Sequence, residues 1–100
     1  MERARPTTAE GLRVDARGRP YFLWDVDMTL DEFRARLEDP DPEVRAYLLG
    51  KLLRQARPED VERFVSDDQI RAIWSSMERY LGRSREYWRA RLGMPRSVDA

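Results

Sequence analysis

The chain has no cysteine and no histidine. Without cysteine there is no disulfide framework, no thiolate nucleophile and no sulfur ligand for zinc or an iron–sulfur cluster. Without histidine it lacks the usual proton shuttle at neutral pH and the commonest transition-metal ligand. Lysine is scarce too: Lys51 is the single lysine among 19 basic residues, the rest being arginine. No apolar run approaches membrane-spanning length, and no charged-then-apolar leader opens the chain, so the expected location is the cytoplasm. Catalysis would have to rely on carboxylates, hydroxyls, arginines and Lys51. The expectation is a non-enzyme that needs no cofactor and no metal.

What is present suits one small domain. One hundred residues with 41% hydrophobic side chains and three Trp can build a modest core, although 38% of the residues are charged. The arginine usage has a plain reading, codon bias from a G+C-rich bacterial genome, and a functional one, an Arg-selected binding surface. The zero net charge hides a regional pattern. Residues 1–20 carry five Arg against three acids, and residues 21–62 carry five Arg and Lys51 against eleven acids. Residues 63–100 carry eight Arg against five acids. Such a dipolar surface argues against a general nucleic-acid binder.

Along the chain, residues 1–11 are polar and aperiodic and are expected to be disordered. Residues 12–28 read as an arm laid on the rest, either a small hairpin or an extended segment, anchored by Tyr21, Phe22 and Trp24. Residues 29–93 read as a helical domain and 94–100 as a flexible tail. Thr29-Leu30-Asp31-Glu32 is a capping box that opens a short helix to about Glu38. Asp41 caps the next helix, with Pro42 in its first turn; apolar residues from Val44 to Ala56 cover well over half its circumference. That helix should have neighbours on two sides and act as the hub. Pro58 starts one or two turns carrying Val61, Phe64 and Val65. Ser66-Asp67-Asp68-Gln69 is a second capping box, expected to open one helix to Leu81 with the stripe Ile70, Ile73, Trp74, Met77, Tyr80 and Leu81. Gly82 follows as its C′ residue, and Ser84 can cap a last helix through Trp88 and Leu92, closed by Gly93. The expected fold is all-α, a compact bundle of four to five short helices.

Three local patterns invite functional readings. Tyr21 to Leu30, Y-F-L-W-D-V-D-M-T-L, resembles motif I of haloacid-dehalogenase-type phosphatases, which would give Asp25 and Asp27 nucleophile and acid/base roles. Those enzymes need a parallel sheet, and no alternation of strand and helix follows Leu30. Asp25 and Asp27 are better placed in a polar loop before the Thr29 cap. Asp39 to Ala56 resembles one helix of a HEAT-type repeat, which implies protein contact, but no second copy is present. Gly82 to Arg96 gathers Arg83, Arg85, Arg89, Arg91 and Arg96 around Tyr87 and Trp88, readable as an RNA, DNA or acidic-protein surface, or as a solvated terminal helix. Lys51 has no Gly-rich loop before it and is expected to be exposed or snorkelling.

The order of features from Phe22-Leu23-Trp24-Asp25 through Gly50-Lys51-Leu52-Leu53-Arg54-Gln55-Ala56, Asp60-Val61, Phe64-Val65-Ser66, Leu81-Gly82-Arg83 and Trp88 resembles a group of small bacterial helical proteins. These are encoded beside nucleotidyltransferase-type toxins of the abortive-infection class. The resemblance implies an antitoxin-like partner that binds the toxin and blocks its substrate, and it brings no catalytic residues. The expected function is therefore a protein-binding module, with Tyr21, Phe22 and Trp24, or Arg85, Arg89 and Arg91, as its contact residues. The alternatives are a generic helical adaptor and a nucleic-acid binder using the C-terminal arginines.

Overall fold

The computed structural model describes residues 11–94. The expected disorder of the N-terminus and flexibility of the tail fall outside the described residues, apart from Gly11 and Met94. The described chain is helical: α1 (Leu30–Arg36), α2 (Pro42–Gln55), α3 (Pro58–Val61), α4 (Asp67–Ala72), α5 (Trp74–Met77) and α6 (Arg85–Leu92), with 3-10 turns at Tyr21–Leu23, Glu78–Tyr80 and Gly82–Ser84. Among the described residues no strand forms. A single antiparallel bridge joins Val14 to Pro20.

The helix starts are local chemistry. Thr29 accepts from the Glu32 N–H while the Glu32 carboxylate takes the Thr29 N–H, and Ser66 with Gln69 repeats the arrangement. Each such cap is worth about 1 kcal/mol. Asp41 caps α2 through the Glu43 N–H, with Pro42 at N1. Gly93 ends α6 at φ 68°, a left-handed conformation that any side chain would strain. Ser84 does not cap α6 with its side chain; its hydroxyl instead donates to the Leu81 carbonyl.

The expected single helix from Ser66 to Leu81 is interrupted. Ile73 leaves the helical region at φ −113°, ψ 14°, and the chain resumes as α5 and then tightens into a 3-10 turn. The tightening has a packing reason. Residues three apart eclipse in a 3-10 turn, and Met77 and Tyr80 both lie against Gly50 of α2. A methyl group on Gly50 would collide with Tyr80 Cβ, so the two segments meet there at the closest approach a glycine permits.

Helix α2 is the hub: it touches α1, α3, α5 and all three 3-10 turns. Leu52 and Leu53 are buried with Phe33, Val61, Ile70, Met77, Leu81 and Trp88 in one core. The Trp88 indole donates 3.0 Å to the Leu53 carbonyl, satisfying a group near the end of α2 that the helix leaves without an internal partner. The N-terminal arm belongs to the same core. Leu12, Phe22 and Leu23 are fully buried, and Phe22, Phe33 and Phe64 meet edge to face with centroids 5.3–5.7 Å apart. The arm is a tight loop closed by Asp15 N–H to Arg19 O and Tyr21 N–H to Arg13 O, followed by a 3-10 turn.

Candidate protein-binding surface

The six residues that the sequence nominates do not share one environment. Phe22 is fully buried and spends its ring on Phe33 and Phe64, so it is a core residue and not a contact residue of the folded domain. Tyr21 is half-buried. Its hydroxyl donates 2.6 Å to Asp60 Oδ2 and accepts the Arg57 N–H at 2.8 Å, which ties the arm to the start of α3. Burial raises the Tyr21 phenol above its ordinary value. Burial pushes the Asp60 carboxyl upward as well, but the Tyr21 hydroxyl and Arg63 outweigh it and hold that carboxyl below the usual range.

Trp24 is the exception. It is 75% exposed, whereas Trp74 and Trp88 are 6% and 1% exposed. Its loop is held firmly from below. Asp25 Oδ2 accepts from Lys51 Nζ at 2.7 Å, and the Gln55 amide donates to the Phe22 carbonyl at 2.6 Å and to Asp25 Oδ1 at 3.3 Å. Lys51 is therefore neither exposed nor snorkelling to water: its side chain is 2% exposed and ends on Asp25, which is 32% exposed. The Lys51 hydrogen bond depresses the Asp25 carboxyl, with burial opposing and Gln55 assisting.

From this pair an aromatic strip continues along α2. The Lys51 ammonium lies 5.6 Å from the centre of the Tyr47 ring, and Tyr47 meets Tyr80 edge to face at 5.3 Å. Beside Tyr47, a shallow depression of about 320 Å³ is lined by Met28, Val44 and Leu48, with Arg36 and Glu43 at its border. Arg79 closes the far end: it donates to Glu43 at 2.7 Å and to the Tyr80 hydroxyl at 3.0 Å. Tyr47, Tyr80 and Met28 thus gather on one flank of α2, and Trp24 stands in the chain next to Asp25, the partner of Lys51 on that flank. Sequence reasoning picked only Trp24 of these. A signal for Tyr47 was present in the i, i+3/i+4 spacing of Val44, Tyr47, Leu48 and Lys51, which puts the lysine on an otherwise apolar face.

The C-terminal arginines are largely engaged within the chain. Arg89 is buried and pairs with Glu86. Arg91 bonds Glu62 at 2.7 Å and Asp67 at 3.3 Å, with its guanidinium 4.9 Å from the Trp88 ring centre. Arg85 is exposed, 3.8 Å from Glu78, and Arg83 is exposed beside it. Arg96 lies outside the described residues. The three nominated arginines therefore form no continuous cationic face.

Asp25 and Asp27, the pair in the phosphatase-like motif, take different partners. Asp25 goes to Lys51 and Gln55, and the exposed Asp27 to Arg19 at 3.2 Å. Among the described residues, no three carboxylates converge as a metal-binding group. No family model matches the chain, nor does any curated protein or solved structure.

Proposed function

We propose that this chain is a non-enzymatic protein-binding module whose contact surface is centred on Trp24 and Tyr47. Its partner, on this reading, is a nucleotidyltransferase-type toxin that it holds inactive as an antitoxin does. The observation that carries the proposal is the 75% exposure of Trp24 on a loop fixed by the Lys51–Asp25 pair and Gln55. A large apolar ring left in water is a cost to the isolated domain, and exposed aromatics on a rigid base are the residues that dominate binding energy. A fixed loop also loses little conformational freedom on association. Arg36 and Arg79 at the border of the strip suit the polar rim of such an interface.

Co-expression with the protein encoded beside this chain tests the reading. Wild type should rescue growth and copurify with it; Trp24→Ala should fold and do neither. Rescue by Trp24→Ala together with failure of Arg85→Glu would move the interface to the C-terminal face. No complex with wild type would remove the toxin and leave the generic adaptor. A nucleic-acid reading has only exposed Arg83 and Arg85 with half-exposed Tyr87 in its favour, and a gel-shift assay with the purified chain checks it.

A further inference from the structure

Roughly on the opposite side of α2 from Tyr47 and Lys51 lies an open groove of about 530 Å³. Its α2 wall includes Pro42, Arg45 and Leu49, which at 100° per residue face away from Val44, Tyr47 and Lys51. Leu37 from the end of α1, Phe64 and Val65 after α3, and Ile73 at the helix interruption converge with Leu49. All but Leu49 are only half-buried, so large apolar side chains remain partly in water around one depression. From Pro42 to Leu49 the groove follows two turns of α2, about 10 Å.

Its charge selects an occupant. Arg34 and Arg45 line the groove, and Glu38 is the single acid among its described lining residues. This is notable in a stretch, residues 21–62, with eleven acids to six bases. Both guanidinium groups are held at the groove edge: Arg34 lies 4.8 Å from the centre of the Phe64 ring, and Arg45 donates to the Asp39 carbonyl. We infer that the groove receives an amphipathic helix of a protein partner, two turns in contact, with acidic residues flanking its apolar stripe. Leucines at i, i+3, i+4 and i+7 would enter over Leu37, Leu49, Phe64 and Ile73, and carboxylates would meet Arg34 and Arg45. This inference does not depend on the Trp24 surface.

The probe is an Ala-rich helical peptide of about 15 residues with four Leu at that spacing and Glu on both sides of the stripe. Calorimetric titration into the full chain should show saturable binding, about tenfold tighter than for the same peptide with Lys in place of Glu. Ala72→Trp, which fills the groove from α4, should abolish binding while the far-ultraviolet circular dichroism stays native. Arg34→Glu with Arg45→Glu should reverse the preference towards the Lys peptide. Trp24→Ala should bind the Glu peptide as wild type does. Absence of saturation, equal affinity for the Glu and Lys peptides, or undiminished binding by folded Ala72→Trp would each overturn the proposal.

Discussion

Removing Asp25 should damage this domain far more than removing Lys51, although the two form one ion pair. Lys51 Nζ has no route to water, because its side chain is 2% exposed and its hydrogen bond runs to Asp25. Asp25→Ala leaves a buried ammonium without its counter-charge. Breaking a fully buried pair costs about 3–5 kcal/mol; with Asp25 32% exposed, water can enter the space it vacates, and about 2–4 kcal/mol is the expected loss. Lys51→Met keeps the apolar stem and removes the charge. Asp25 then retains the Gln55 amide and solvent, so that substitution should cost about 0–1 kcal/mol. The double variant should resemble Lys51→Met rather than the sum of the two. Urea unfolding at pH 7 measures all three, with Asp25→Ala lowering the midpoint by about 1–2 M. The Asp25 carboxyl is depressed in the folded state by Lys51, so its contribution is complete above its unfolded value and is lost as pH falls through the lower folded value. Asp25→Ala should therefore also flatten the stability profile in that acid window. Equal effects of Asp25→Ala and Lys51→Met would refute the reasoning, because they would mean that Nζ reaches water on its own.

Three further outcomes follow from the packing. Gly50→Ala should destabilise by about 1–3 kcal/mol in thermal unfolding, despite a helix-propensity gain of about 1 kcal/mol, because its methyl group meets Tyr80 Cβ. Tyr21→Phe strips a hydrogen bond from buried Asp60 and leaves the Arg57 N–H without its acceptor, at about 1–2.5 kcal/mol; the folded Asp60 carboxyl then rises, so acid unfolding should begin at a higher pH than in wild type. Trp74→Ala should cost about 3–5 kcal/mol in urea unfolding, and Trp24→Ala less than about 0.5 kcal/mol.

What was legible in the sequence is what is local. The Thr29 and Ser66 capping boxes, the Asp41-Pro42 start and the Gly93 stop act over three or four residues, and all stand where those signals put them. The hub role of α2 was legible because its apolar arc was too wide for one neighbour. The interruption at Ile73 was not, since the apolar stripe runs unbroken through it, and neither was the tightening after Met77, where Met77 and Tyr80 lie against Gly50 of another helix. The fate of the arm aromatics was not either. Phe22 and Trp24 are both aromatic and two residues apart, and it is the 3-10 turn that sends one to Phe33 and leaves the other in solvent. Long-range ion pairs are equally silent in one dimension: Lys51 with Asp25 and Arg91 with Glu62 join positions 26 and 29 residues apart. The C-terminal run of arginines therefore stayed readable both as a basic surface and as a solvated helix, because the distant acids Glu62 and Asp67 that engage Arg91 are not visible in its own segment.

On the proposed reading Trp24, 75% exposed, is held in solvent for a protein partner. The most direct test is calorimetric affinity for the product of the neighbouring gene, the partner on that reading, comparing wild type with Trp24→Ala at matched thermal stability. A binding hot spot of 2 kcal/mol or more predicts affinity weakened by about 30-fold or more with an unchanged melting midpoint. Equal affinities for that protein, with both chains equally folded, would contradict the account.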